Sequence, residues 1–203
     1  MKIALIGATG NVGTRLLDEA LRREHQVTAI ARSASTLTPR TNLRSVDLDA
    51  QDGSALAAAL SGHDVVISSA HFVSFKATHL LAAIKQAGVV RLLVVGGAGS
   101  LHVAPGVALI DTPQFPAEYL SEASAGRDFL NDLRNEQTID WTFLSPSAMF
   151  VPGERTGVFR LGQEELLTAA DGKSWISMED YAIALLDEIE QPRHSRRRFT
   201  VGY

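Results

Sequence analysis

Apolar and polar positions along this chain switch between two periods, and the switch repeats. Ile3-Ala4-Leu5-Ile6 is a short unbroken apolar run. After Gly13, Leu16, Leu17, Ala20 and Leu21 share one face of a helix predicted from about 11 to 24, with Asn11 as its N-cap. Strands are predicted at 25–31 and 43–46, a helix at about 53–60 and a strand at 64–68; a helix at 78–87 and a strand at 89–95, apolar except for Arg91, follow. From 102 to 116 the period dissolves into a loop with Pro105-Gly106 and Asp111-Thr112-Pro113. A loop of that length inside a domain is usually functional, often a lid.

A helix from about 117 to 135 and a strand at 139–144 lead into Ser145-Pro146-Ser147-Ala148-Met149-Phe150. Beyond them, Gly153 to Gly162 and Leu166-Leu167-Thr168 read as short strands, with a tight turn at Asp171-Gly172. Ser177, paired with Asp180 as a weak capping box, opens a helix that Pro192 stops, and 198–201 is a last strand. Strands that are apolar on both faces and alternate with helices specify an α/β fold, a doubly wound, mainly parallel sheet covered on both sides. One domain, 1–203, accounts for the chain, with 146–177 and the C-terminal elements as a small substrate-side region.

Composition removes several classes of function. The formal net charge of −4 gives no support to a nucleic-acid surface, and Arg196-Arg197-Arg198 reads as a solvated strand end. No cysteine is present, which excludes thiolate nucleophiles and zinc–thiolate sites and fits a reducing cytosol. No apolar run is long enough to span a bilayer, and the short N-terminal run opens the fold instead of forming a signal peptide. The expected setting is the cytoplasm, as a monomer or homodimer without membrane partners. The six histidines lack ligand-like spacing, so no metal site is expected, and no Gly-x-Ser-x-Gly elbow marks a hydrolase.

The chemistry concentrates at the first turn. Gly7-Ala8-Thr9-Gly10-Asn11-Val12-Gly13 stands directly between a strand and a helix. Glycines there let the backbone turn sharply and approach phosphates, and the helix N-terminus offers free N–H groups to a dinucleotide pyrophosphate. NAD-binding sheets usually carry an acidic residue after the second strand to hold the ribose hydroxyls; here Arg32 and Ser33 stand in that place, which suits the extra phosphate of NADP. Asp47 and Leu48 lie either beside the adenine or, in the case of Asp47, at the cap of the next turn. Ala70 lets the cofactor cross a strand end, and His71 and Phe72 point toward the nicotinamide half.

Three stretches together resemble one family: the glycine turn, the strand end from Gly96 to Leu101, and Asp140-Trp141-Thr142-Phe143-Leu144-Ser145-Pro146-Ser147. They resemble the atypical short-chain dehydrogenases, in particular the NmrA-like branch of NAD(P)H-flavin reductases and biliverdin-reductase-B-like proteins, over nearly the whole chain. The resemblance implies a Rossmann sheet that binds NADP or NAD. By position, Thr9, Asn11 and Val12 join the glycines at the phosphates, Gly97 takes a place at the cofactor, and Pro146, Ser147 and Ala148 line the nicotinamide.

The chain departs from typical short-chain dehydrogenases in one respect. Their Tyr-x-x-x-Lys pair lowers the tyrosine pKa for proton donation. Here Ala123 stands four residues after Tyr119 and Leu185 four after Tyr181, while Tyr203 is the last residue. That opposes alcohol–ketone redox and epimerase chemistry. Two functions remain: hydride transfer to a flat acceptor such as a flavin or quinone, or a non-catalytic NADP-sensing protein whose 102–116 loop orders on cofactor binding. For the first, Phe72, Leu101, Phe115, Met149 and Phe150 form the expected apolar pocket, and His71, Ser100, Tyr119 or solvent supplies any proton. Packing roles for His71, Tyr119, Met149 and Phe150 fit the same pattern.

Overall fold

The apolar periods build a sheet between two helical layers. The computed structural model describes residues 1–203. Its strands are β1 (Lys2–Ile6), β2 (Gln26–Ala31), β3 (Leu43–Asp47), β4 (Val65–Ser68), β5 (Arg91–Val95), β6 (His102–Ala104), β7 (Val107–Ala108), β8 (Asp140–Pro146), β9 (Met149–Val151), β10 (Arg160–Gly162), β11 (Trp175–Ser177) and β12 (Arg197–Gly202). The helices are α1 (Asn11–Arg22), α2 (Gly53–Leu60), α3 (Ala77–Ala87), α4 (Leu120–Arg134) and α5 (Met178–Glu190). Eight strands form the main sheet in the order β10-β12-β8-β5-β4-β1-β2-β3, and only β10 runs antiparallel to its neighbour. No helix is long and apolar enough to cross a membrane.

Alternation along each strand sorts the core into two layers. Ala4, Ile6, Val66, Leu92 and Val94 face α2, α3 and α4, while Ile3, Leu5, Val65, Ile67 and Leu93 face α1 and α5. Both faces are therefore dry, and near-continuous apolar strands are the pattern such a sheet requires. Helix α3 stops at Gly88, whose φ of 72° supplies the left-handed C-terminal residue. Register brings Ile6 opposite both Ile30 and Ser68. The ends of β1, β2 and β4 thus form one rim where strand order reverses, the place where open α/β sheets bind ligands.

Several local expectations are corrected. Gly10, not Asn11, is the N-cap of α1, and it makes no side-chain cap bond. The 102–116 segment is not shapeless: β6 and β7 form a small hairpin, bound to the 164–166 segment by His102 N–H to Glu164 O (2.8 Å) and Leu166 N–H to His102 O (2.9 Å). Leu166-Leu167-Thr168 forms no strand, and within 153–162 only β10 does; the parallel pair β9–β11 was not anticipated. Ser177 Oγ does accept from Asp180 N–H (3.0 Å), but the Asp180 carboxylate turns to Thr156, Gly157 and Tyr203 instead of returning the bond. Arg198 is not solvated: it is 5% exposed and donates to Ser100 and Glu164.

Carboxylates tie the loops to this frame, and they make stability pH-dependent. Burial alone would raise the Glu136 carboxyl, but Lys85 Nζ at 2.7 Å, the Thr138 hydroxyl and the Thr138 and Ile139 N–H groups outweigh it and hold it down at about 2. Glu19, Glu164, Glu179 and Asp180 are likewise lowered: burial acts against ionisation, and hydrogen bonds and arginines reverse it. Depressed folded-state values contribute stability above the unfolded carboxylate range, and that contribution disappears as pH falls. The unfolding midpoint is expected to be flat above about pH 5 and to fall steeply between about pH 4 and pH 2. Chemical denaturation at fixed temperature across that range checks it; a midpoint constant down to pH 3 would contradict it.

Candidate functional site

Two depressions meet at His71. The first, of about 360 Å3, runs along the rim and is lined by Gly7, Thr9, Gly10, Ala31, Arg32, Ser33, Leu48, Asp49, Ser69, Ala70 and Ser74, among others. Two of the glycines, Gly7 and Gly13, are required sterically. Gly7 has φ +79°, and a Cβ on it would lie 2.5 Å from Ser69 O; a Cβ on Gly13 would lie 2.1 Å from Gly7 O. Helix α1 therefore presses against the turn at a distance only glycine permits. The N–H groups of Asn11, Val12 and Gly13 find no acceptor within the protein, and no side chain caps them. Free N–H groups at the positive end of a helix, beside a groove, fit a pyrophosphate.

At the end of β2, Arg32 is exposed, lines the same groove and pairs with no carboxylate, and the Ser33 hydroxyl is also without a partner. Asp47 is differently occupied: its carboxylate accepts from Ser35 N–H (2.7 Å) and Ser35 Oγ (2.6 Å), and these bonds hold its pKa low. Asp49, two residues on, is the carboxylate that lines the groove beside Leu48.

The second depression is a cavity of about 780 Å3 between the β5 and β8 strand ends, the 109–116 segment after the hairpin, and α4. Phe72, Phe115, Met149 and Phe150 line it as expected, together with Gly97, Ser100, Tyr119 and Ala148. Leu101 does not; it is fully buried, and Leu109 takes that place. Pro146 and Ser147 are buried too, with Ser147 Oγ donating to Val201 O (3.1 Å), so of that stretch only Ala148, Met149 and Phe150 reach the cavity wall.

The candidate proton donors differ in their freedom. Ser100 Oγ accepts from Arg198 Nη1 at 2.8 Å. Tyr119 is 62% exposed at the start of α4, and its hydroxyl has no partner. His71 Nδ1 lies 3.3 Å from Glu122 Oε1. Tyr181 is excluded: it is fully buried, its hydroxyl donates to Leu144 O at 2.7 Å, and burial pushes its pKa far up. No lysine lines either depression. The structure supplies a steric reason at the position four residues after Tyr119: a Cβ on Gly99 would stand 2.8 Å from Ala123 Cβ, so α4 lies against the glycine loop where a lysine would have to fit.

The sequence reading missed Glu122. Its carboxylate accepts from Phe72 N–H (2.8 Å) and Val73 N–H (3.1 Å) and so fastens α4 to the turn after β4. The only sequence signal is an acid in the first turn of a helix, which says nothing of a partner fifty residues away. Arg127, on the next turn of the same cavity wall, was also missed.

The NAD(P)H-binding family matches residues 7–192. Three solved structures resemble this one along its whole length. A "putative exported protein" from Burkholderia pseudomallei is 46% identical, with 100% of both chains covered and a TM-score of 0.90. A "putative epimerase" from Bacteroides thetaiotaomicron is 41% identical, with 100% of this chain and 96% of that one covered and a TM-score of 0.92. A "putative NADH-flavin reductase" from Streptococcus pneumoniae TIGR4 is 36% identical, with 100% and 99% covered and a TM-score of 0.86. Their names disagree on activity while their folds agree. The glycine cradle, the switch-point groove and these likenesses converge: the chain belongs to the NAD(P)H-binding family, on a Rossmann sheet.

Proposed function

We propose that this protein is an NAD(P)H-dependent oxidoreductase that passes hydride from NADPH to a flat acceptor such as a flavin or quinone. The observation that carries the reading is the apolar cavity of about 780 Å3 that meets the glycine-turn groove at His71 and contains no lysine. The nicotinamide would supply the hydride. The protein's part is to hold the pyrophosphate on the free N–H groups of α1, to leave the strand end at Ala70 narrow enough for the cofactor to cross, and to shield the acceptor between Phe115, Met149 and Phe150. The name of the Streptococcus relative agrees with this chemistry, and that of the Bacteroides relative does not. Epimerisation would need a fixed acid–base pair, and the Tyr119–Ala123 spacing offers none.

The sensing alternative requires the 102–116 segment to order when cofactor binds. That segment is already held by backbone bonds, His102 to Glu164 and Leu166 and Ile110 to Gly99, without any cofactor contact, which favours the enzyme. Incubation with NADPH and a panel of flavins and quinones, followed by loss of nicotinamide absorbance, tests the reading. Tight NADPH binding with no turnover on any acceptor would overturn it.

Arg32 supports NADPH over NADH, since a guanidinium can grip the 2′-phosphate bidentately. In Arg32→Asp, NADPH is expected to bind about a hundredfold more weakly while NADH changes less than about threefold, a difference of roughly 2 kcal/mol, as befits losing a charge-assisted contact and gaining a repulsive one. Equal losses for the two cofactors would contradict the assignment.

A further inference from the structure

Arg127 is the one lysine or arginine among the residues lining the large cavity, and hydride transfer as proposed gives it no role. It projects from α4 and pairs with Asp111, in the helical turn Leu109–Asp111 that follows the hairpin, Nη1 to Oδ1 at 3.0 Å. The other charged side chain on that wall, Glu122, is already engaged by two backbone N–H groups and His71. Gln114, three residues further along the same loop, lines the cavity with its amide unbonded. Beside the apolar Met149 and Phe150, the cavity lining therefore offers one guanidinium and one free amide. We infer that the acceptor carries an anionic group, a phosphate or a carboxylate-like substituent on its planar ring system, and that Arg127 is the residue that selects it. This rests on the oxidoreductase reading and names its substrate class.

The competition with Asp111 favours the ligand. Both partners are open to solvent, Arg127 at 39% and Asp111 at 55%, so the internal pair is screened and holds weakly. A ligand anion shielded in the cavity offers the planar guanidinium a bidentate contact in a drier setting, where charge-assisted bonds are stronger. Asp111 then acts as a placeholder, keeping Arg127 extended over the cavity until the anion replaces it. The volume agrees, because about 780 Å3 holds a tricyclic ring and still leaves room for a substituent.

Paired acceptors that differ only in the anion test this. FMN against riboflavin reads the phosphate; a sulfonated naphthoquinone against the unsubstituted one reads a second anion on another ring. The expected result is a kcat/KM ratio of at least tenfold in favour of the anionic member in at least one pair, falling to about one in Arg127→Gln and rising in Asp111→Asn. The opposite direction in Asp111→Asn separates anion selection from a general disturbance of α4. Reduction of both members at equal rates, or a ratio unchanged in Arg127→Gln, overturns the anion subsite and leaves the reductase reading standing. If no acceptor is reduced, the reductase reading falls, and equilibrium dialysis of the same four compounds on the NADP-loaded protein decides the subsite: the same ratios in Kd support it, and equal or absent binding overturns it.

Discussion

Replacing Glu188 with alanine is expected to cost about 3–5 kcal/mol of stability, the loss seen when one member of a buried ion pair is removed. Glu188 lies on α5 with its side chain 3% exposed, and Arg91, on the central strand β5, is 10% exposed. One carboxylate accepts from Arg91 Nη2 (3.2 Å), Arg193 N–H (3.0 Å) and His194 N–H (2.9 Å), and lies 2.7 Å from His194 Nδ1. Burial lowers the Arg91 pKa, and the charges of Asp140 and Glu188 oppose that shift. Removing Glu188 leaves Asp140 alone, at 3.4 Å and itself partly exposed, and strands the two N–H groups that start the turn toward β12. For a chain of this size each kcal/mol moves the melting temperature by about 2–4 °C, so a drop of about 10 °C is expected by calorimetry. Arg91→Leu in the Glu188→Ala background should recover part of the loss, because the uncompensated charge is then gone. A double variant no more stable than the single one would mean that the backbone bonds, not the ion pair, carry the effect.

How much of this was visible beforehand depends on the range of the interaction. The 3.6-residue period of Leu16, Leu17 and Ala20 and the two-sided apolar strands give their elements away because each reports its own burial. α2 runs from Gly53 to Leu60 as expected, since Asp52 caps it locally by accepting from Ala55 N–H. Arg91 stood out in β5 as an interruption, but its partner is ninety-seven residues further on, and no local pattern encodes that distance. The same holds for Arg198, read as solvent-facing among neighbouring arginines and found beneath Ser100 and Glu164. The pairs β6–β7 and β9–β11 are too short to show a period at all. In the candidate site, the groove-forming glycines were legible because a backbone constraint writes itself into one residue type. Glu122 and Arg127 were not, because ordinary helix-surface residues become site residues only once α4 is laid against the strand ends.

The glycine turn permits the sharpest functional prediction. Gly13→Ala is expected to weaken NADPH binding about a hundredfold, close to 3 kcal/mol, with a comparable loss of stability. The added Cβ would stand 2.1 Å from Gly7 O, 2.9 Å from Gly7 C and 3.0 Å from Ala8 Cα. All three are backbone atoms, so no rotamer relieves the clash, and either the turn opens or α1 retreats. Either movement carries the unbonded N–H groups of Asn11, Val12 and Gly13 away from the groove. Gly10→Ala is the contrast: its Cβ would meet only Gly7 O, at 3.3 Å, and its φ of −75° suits any residue. That variant should lose less than about tenfold in affinity, since the contact yields by a few tenths of an ångström. Titration of NADPH fluorescence, with thermal unfolding on the same samples, separates the two. If Gly13→Ala folds and binds NADPH as the parent does, the pyrophosphate does not rest on the N-terminus of α1, and the dinucleotide must enter the rim by another route.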